Sequence, residues 1–483
     1  MFTLCKMFEK HIGVNLDLSR PFNLLGYANH EQQPEPFRSV TSVAWLRRDL
    51  RLDDNPALMA ALADDDEVVP LFVRDPGLSD AAGGGSRRIA RLDAALVDLD
   101  NRLRGVGGRL IIRHGRPEEV LPAVMREVGA RRVHAARDVT PYAIRRDEAV
   151  ARAVPLILHP GLLVVEPDAI GERRVFAAFH RRWMGAEIRP PIDAPRRICV
   201  PTAFASAPLA QVVVGGEADP LDRARVFAAS GAAAYAADRD RLDLDGTSHL
   251  SVDLHFGTIS PSRLVETVAD DAFRRQLAWR DWANHLLFWR PDASSLAWQT
   301  GLQAIPWRVD AAELATWREG RTGFPTVDAA MRQLAETGWI SNRARLIAAS
   351  FLTRELFLDW RLGARHFMQT LVDGDVANNA GNWQWVAGVG TDAAPYFRIL
   401  SPTRQGERFD PHGIWVRHWV PELRHVPDAF IHRPWDAPSG PPAGYPRRIV
   451  DRAMVLERVR SAFRAARHPT MAIPGPEYGP DPA

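Results

Sequence analysis

Val43-Ala44-Trp45-Leu46 and Val68-Val69-Pro70-Leu71-Phe72-Val73 are apolar at every position, without the alternation of a strand that has one face in water. A strand that is apolar on both faces belongs to a parallel sheet covered by helices on either side. Three more short runs follow: Arg109-Leu110-Ile111-Ile112, Arg132-Val133-His134-Ala135-Ala136 and Leu156-Ile157-Leu158. Between them helical periodicity runs from Ile89 to Leu103, from Val120 to Val128 and from Ile144 to Val154. This alternation predicts an open, Rossmann-like α/β sheet over residues 41–160. Gly83-Gly84-Gly85 has no Lys-Ser/Thr after it and is not a phosphate loop; it reads as a mobile connector.

On the N-terminal side, residues 1–40 carry the only two lysines, Lys6 and Lys10, and end in the polar Gln32-Gln33-Pro34-Glu35-Pro36. Lacking a signal-peptide pattern, they read as an extension outside the fold. On the C-terminal side, the irregular Arg189-Pro190-Pro191-Ile192-Asp193-Ala194-Pro195 places an interdomain linker at residues 161–220. From 221 to 466 helical spacing replaces β-branched runs, so the second domain is all-helical, and the Pro-rich residues 467–483 form a loose tail. A chain of 483 residues suits more than one core. It is 46% hydrophobic and 25% charged, with no stretch near the roughly 20 apolar residues that span a bilayer; a cytoplasmic, non-membrane monomer is expected. Cys5 and Cys199 are the only cysteines, which excludes a disulfide framework, a four-thiolate cluster and a zinc ribbon. His412, His418 and His425 have no companion ligand set, so no metal is expected. A net charge of +2 decides nothing about nucleic acid, whose binding depends on a local basic groove.

The functional signal lies further on. Of 15 tryptophans, 13 follow residue 270, and two close the run Asp373-Gly374-Asp375-Val376-Ala377-Asn378-Asn379-Ala380-Gly381-Asn382-Trp383-Gln384-Trp385. Carboxylates around a glycine, amides a turn later and a Trp-x-Trp suit a flat aromatic ligand with polar edges better than a plain core, because buried polar and indole groups need partners. Thr247, Ser248 and Ser251 offer hydroxyl and backbone donors at a turn-to-helix junction before a helix around Pro261 to Val268, as a pyrophosphate would require. Gln276, Trp279 and Arg280, at i, i+3 and i+4, share a helix face.

These residues sit in motifs that resemble the DNA photolyase and cryptochrome family, over about residues 42–435. The motifs are Trp45-Leu46-Arg47-Arg48-Asp49-Leu50-Arg51-Leu52-Asp53-Asp54-Asn55-Pro56-Ala57-Leu58, Thr247-Ser248-His249-Leu250-Ser251, Gly323-Phe324-Pro325-Thr326-Val327-Asp328-Ala329-Ala330-Met331-Arg332-Gln333-Leu334, Gly338-Trp339-Ile340-Ser341-Asn342-Arg343, the 373–385 run and Gly390-Thr391-Asp392-Ala393-Ala394-Pro395-Tyr396-Phe397-Arg398. The resemblance implies FAD in the helical domain and light-driven electron transfer to damaged DNA. It implies FAD contacts from Tyr235, Thr247, Ser248, His249, Leu250, Ser251, Arg280, Asn342, Arg345, Asp373, Gly374, Asp375 and Asn379, with Arg345 paired to Asp373 and Asn379 facing the flavin N5. It implies an electron relay of Trp307, Trp360 and Trp383. For DNA it implies Arg239, Gln276, Arg280, Asn342, Arg343 and Arg404, with Trp279 and Trp385 as the walls of a cavity for a flipped-out pyrimidine dimer.

Three departures bear on the lesion and the antenna. Gln276 stands where dimer-repairing members usually carry glutamate; glutamine there is familiar from the (6-4) branch. That branch, however, has paired histidines where this chain has Ser341-Asn342-Arg343, and Asn342 points back to the cyclobutane class. The segment Arg137-Asp138-Val139-Thr140-Pro141-Tyr142 lacks the glutamate that holds a folate antenna in some members, leaving a deazaflavin, a folate held otherwise, a second flavin or none. The expectation is cyclobutane-dimer repair, with a cryptochrome-like photoreceptor and a (6-4) photolyase as rivals.

Overall fold

The computed structural model describes residues 41–81, 85–201, 204–210, 219–393, 399–451 and 455–467. The N-terminal extension, Gly83 and Gly84, and the tail lie outside them.

Five strands, β1 (Thr41–Leu46), β2 (Glu67–Arg74), β3 (Ile111–His114), β4 (Arg132–Ala136) and β5 (Leu156–His159), form one parallel sheet in the order β3-β2-β1-β4-β5. Val43 at the centre faces Val69 on one side and Val133 on the other. The unbroken apolar runs are explained by two cores: Ala44, Leu46, Val68 and Phe72 enter one, while Val43, Trp45, Val69 and Leu71 enter the other. β3 begins two residues later than the apolar run suggests, because the Leu110 amide donates to Asp100 in the preceding helix rather than to the sheet. Two of the helices between strands start where proline and a cap coincide: Pro56–Asp64 behind Asn55, whose Oδ1 accepts from the Leu58 amide at 3.0 Å, and Pro141–Ala153 behind Thr140. The strand order reverses at β1, so the segment that leaves its C-terminal end, starting at Arg47, opens into the crevice where such sheets place function.

Beyond β5 the regular elements among the described residues are all helices, apart from an isolated bridge between Arg308 and Leu358. The stretch read as a linker is not irregular throughout. Helices Pro167–Ile170 and Phe176–Met184 lie within it, and Val164, Val165, Phe176, Phe179 and Trp183 pack into one core with Leu277, Ala278 and Trp282 of the long helix Asp271–Trp289. A second core gathers helices Pro325–Thr337, Asn342–Ser350, Trp360–Thr370 and Val376–Ala387. Between the α/β and helical parts the packing is tight at Gly257, whose φ of +69° ends helix Ser251–Phe256 and where any side chain would overlap the Arg48 backbone. The Leu50 amide donates to the Phe256 carbonyl at 3.2 Å across this seam, and Arg51 reaches the Gly257 carbonyl at 3.1 Å.

Candidate flavin and DNA-lesion site

Helix Val376–Ala387 organises the site. Asp375 caps it, its Oδ1 accepting from the Asn378 amide at 2.8 Å and from Asn378 Nδ2 at 2.7 Å. Residues two apart on a helix point about 200° away from each other. Trp383 and Trp385 therefore leave the helix on opposite sides, and the structure has a pocket on each. One, of about 490 Å³ up to its mouth, is lined by Asn342, Arg345, Leu346, Phe367, Asp373, Gly374, Asp375, Asn378, Asn379, Asn382 and Trp383. The other, of about 410 Å³, is lined by Trp282, Leu286, Trp298, Ala377, Gly381, Gln384, Trp385, Thr391 and Asp392.

The first pocket combines charged and amide side chains with apolar ones. Arg345 reaches Asp373 at 2.8 Å, and Asn379 donates to the Ala364 carbonyl at 2.9 Å. Burial works to raise both carboxylates, but for Asp373 the Arg345 guanidinium outweighs it and holds the group below its ordinary value. For Asp375 burial is outweighed by Arg48, the Asn378 donors and Arg280, and the group sits far below the usual carboxylate range. Both remain ionised. Asp373 Oδ1 is nevertheless buried without a hydrogen-bond partner, as is Thr247 Oγ1. Unpartnered buried acceptors are rare, and donors on a ligand would satisfy these. FAD, with ribityl hydroxyls and a ring N–H, supplies donors of that kind, so the residues fit it.

Of the residues expected at the cofactor, Asn342, Arg345, Asp373, Gly374, Asp375 and Asn379 converge on this pocket, and Trp383 forms its wall. Ser251 lies next to them, accepting from Trp339 Nε1 at 3.2 Å. It opens helix Ser251–Phe256 directly, so the hydroxyl cluster serves that helix and not the later Pro261–Thr267. His249, at a φ of +53°, is exposed beneath the Trp339 ring at 4.5 Å; Ser248 Oγ accepts from the Leu250 amide; Leu250 is buried in the core. Tyr235 is buried in that same core, with Arg239 one turn on, its amide bonded to the Tyr235 carbonyl at 3.0 Å. None of these lines the pocket. Arg280 lies beneath it, 3.4 Å from Asp281 and within the field of Asp375.

On the lesion side, Trp279 does not face Trp385. Its ring stacks on Phe176 at 3.5 Å, and Trp282, three positions on, shares the pocket with Trp385 instead. The reason is helix Phe176–Met184, unforeseen in the linker, which covers the Trp279 face. Gln276 donates to the Ala272 carbonyl at 3.3 Å. Arg343 is held by Asp240 at 2.6 Å, Gln405 at 3.2 Å and the Phe409 ring at 4.4 Å, while Arg404 is exposed on the neighbouring helix.

Trp360 and Trp383 are 1% and 2% exposed, and Trp307 is partly buried. Trp383 meets Phe367 at 5.0 Å and Trp317 at 6.2 Å, both edge-on; Trp307 meets Phe357 at 4.9 Å. Sequence reasoning missed Trp317, and also Asn378 and Asn382, whose i, i+4 spacing behind the Asp375 cap was a usable signal.

Residues 42–196 match the family model described as DNA photolyase, and residues 273–465 the one described as FAD binding domain of DNA photolyase. A deoxyribodipyrimidine photo-lyase of Streptomyces griseus is 44% identical over 457 residues, spanning 88% of this chain and 99% of that protein. The chain belongs to the DNA photolyase family. Its fold agrees with the crystal structure of a bacterial class III photolyase from Agrobacterium tumefaciens, at a TM-score of 0.82 and 33% identity over 90% of this chain and 99% of that one. It agrees equally with an archaeal photolyase from Sulfolobus tokodaii with two FAD molecules, at 0.80 and 30% identity over 88% of this chain and 100% of that one. Among the described residues no helix is long and apolar enough to cross a membrane.

Proposed function

We propose that this chain is a blue-light-driven, FAD-dependent lyase that splits cyclobutane pyrimidine dimers in DNA. The observation that carries the reading is helix Val376–Ala387, which sets a polar pocket with ionised carboxylates on its Trp383 side and an aromatic pocket on its Trp385 side. When bound, FAD supplies the light-excited electron that opens the dimer. Arg345 and Asp373, Asp375, Asn378 and Asn379 hold the cofactor's polar edge, and the apolar Leu346, Phe367 and Val386 exclude water from it. Trp385, with Trp282 beside it and Trp279 one ring behind, offers stacking surface to two adjacent bases of one strand already unstacked and unpaired by damage, so extrusion selects the lesion without reading sequence. Gln276 can donate to a base carbonyl and accept from N3–H, but cannot ionise. Arg239, Arg343 and Arg404 meet phosphates, which position the strand without specifying it. Trp307, Trp360 and Trp383 carry electrons inward from the surface.

In this reading residues 41–160 are the antenna-bearing domain, 221–466 the FAD domain, and the protein acts as a cytoplasmic monomer on flipped-out damage. The antenna position takes a deazaflavin, a folate, a second flavin or none, four outcomes that the absorption spectrum of purified protein distinguishes. The decisive test gives photoreduced, FAD-loaded protein a thymine-dimer oligonucleotide under blue light, beside one with a (6-4) lesion. Repair of the thymine dimer is expected. Repair of the (6-4) lesion alone would reassign the lesion class, and repair of neither would move the chain to a photoreceptor role.

A further inference from the structure

The loop of residues 371–375 carries the two carboxylates of the flavin pocket and, besides Arg345 and the Gly338 carbonyl of the helical domain, is held by two arginines of the α/β domain. Arg48, at the point where β1 opens into the crevice, places Nη2 2.7 Å from Asp375 Oδ2 and Nη1 3.5 Å from Asp138 Oδ2. Its Nε donates to the His255 carbonyl at 3.4 Å, and Asp138 is itself oriented by the Thr140 amide at 2.9 Å. From helix Ser86–Gly105, Arg88 donates Nε to the Leu371 carbonyl at 3.1 Å and Nη2 to the same oxygen and to the Met368 carbonyl. The close approach at Gly257 seats the Arg48 backbone on the helical domain, so this reach is built in.

We propose that Arg48 is a positioning residue that fixes the flavin-pocket carboxylate of Asp375 from across the domain boundary, so that cofactor retention depends on the α/β domain. This rests on the flavin reading of the pocket. The groups facing Asp375 are Arg48 with Asp138 behind it, Arg280 from helix Asp271–Trp289, Asn378 from its own helix and His255 from helix Ser251–Phe256. Partial burial together with Arg48 and Arg88 lowers His255 to about 3, so it stays neutral and lends Asp375 no charge near neutrality. Arg48 and Arg280 are the cations that keep Asp375 ionised. Removing Arg48 lets Asp375 rise toward the ordinary carboxylate range, and any affinity that needs the ionised form is lost at a higher pH as pH falls.

The test strips FAD from the protein and follows its rebinding by flavin fluorescence from pH 3 to 8 in wild type, Arg48→Met, Arg48→Gln, Arg48→Lys, Asp375→Asn and the Arg48→Met/Asp375→Asn double variant, with thermal unfolding of each apo-protein alongside. Arg48→Met is expected to bind FAD at least tenfold more weakly, with its acid limb moved upward. Arg48→Lys should recover most of the affinity, and in the Asp375→Asn background Arg48→Met should cost little more. Wild-type affinity and pH profile in Arg48→Met overturn the inference, as does an equal loss with and without Asp375, even if unfolding shifts. Should Arg48→Met not fold, Arg48→Gln decides in its place, because it keeps a polar side chain and removes the charge; an unmoved acid limb in Arg48→Gln overturns the inference. Wild type that takes up no FAD at any pH refutes the flavin reading itself and the inference with it.

Discussion

Gly363→Ala tests how tightly the relay is packed onto the flavin pocket. Gly363 lies one turn after Trp360 on helix Trp360–Thr370, and a Cβ there would lie 2.6 Å from Trp383 Cζ3, 2.8 Å from Cζ2 and nearer still to Cη2. Carbon atoms in contact prefer about 3.5–4.0 Å, so the indole must retreat by roughly 1 Å or more. It has little room: Trp383 is 2% exposed, with Phe367 and Trp317 edge-on at 5.0 and 6.2 Å. Overpacking of this kind costs about 1–3 kcal/mol, against about 1 kcal/mol gained when alanine replaces glycine in a helix interior. The net expectation is destabilisation by up to about 2 kcal/mol, where a glycine kept only by chance would give stabilisation. Because Trp383 also walls the flavin pocket, the shift should reach function. Denaturant midpoints, FAD affinity and the rate of photoreduction of oxidised FAD are the readouts. A variant more stable than wild type, with unchanged FAD affinity and photoreduction, would refute the packing argument.

Other outcomes follow from the same geometry. Trp307→Phe, Trp360→Phe and Trp383→Phe should each slow photoreduction of oxidised FAD while chemically pre-reduced enzyme repairs nearly normally; unchanged photoreduction in all three would point to another donor, for which Trp317 is placed. Asp375→Ala should weaken FAD retention by about 1–3 kcal/mol, read as flavin lost on gel filtration, because it removes both a ligand partner and the helix cap. Gln276→Glu should raise thymine-dimer repair or leave it unchanged at constant FAD content, and a fall in repair would count against the lesion assignment. Glu166 is raised to about 7, chiefly by burial, with Arg137 opposing and Asp281 adding. The folded state thus holds a proton that the unfolded chain gives up near 4.5; this stability is fully present below about 4.5 and is lost as pH rises through about 7. Glu166→Gln should therefore gain roughly 1–3 kcal/mol over wild type at pH 8 and nothing at pH 4, and thermal unfolding with the same difference at both pH values would contradict it.

What was legible in the sequence is what chain neighbours encode. The sheet could be read because each strand buries both faces, and the two sides of helix Val376–Ala387 because Trp383 and Trp385 diverge by helical period alone. The packed helix Phe176–Met184 was also encoded, in the spacing of Phe176, Phe179 and Trp183, but the prolines around Pro190 drew attention to irregularity, and with it went the ring that displaces Trp279. Contacts such as that of Arg48 with Asp375, 327 residues apart, leave no local trace. Either residue alone reads as an ordinary surface arginine or a helix cap, and neither states which partner it meets. The family motifs include both residues without saying that they touch. The charge state of the cofactor pocket is therefore set by a feature that only the assembled fold contains. The helix supplies the carboxylate, Arg280 of the same domain and Arg48 of the opposite one keep it ionised, and the second of these makes the seam at Gly257 part of the site.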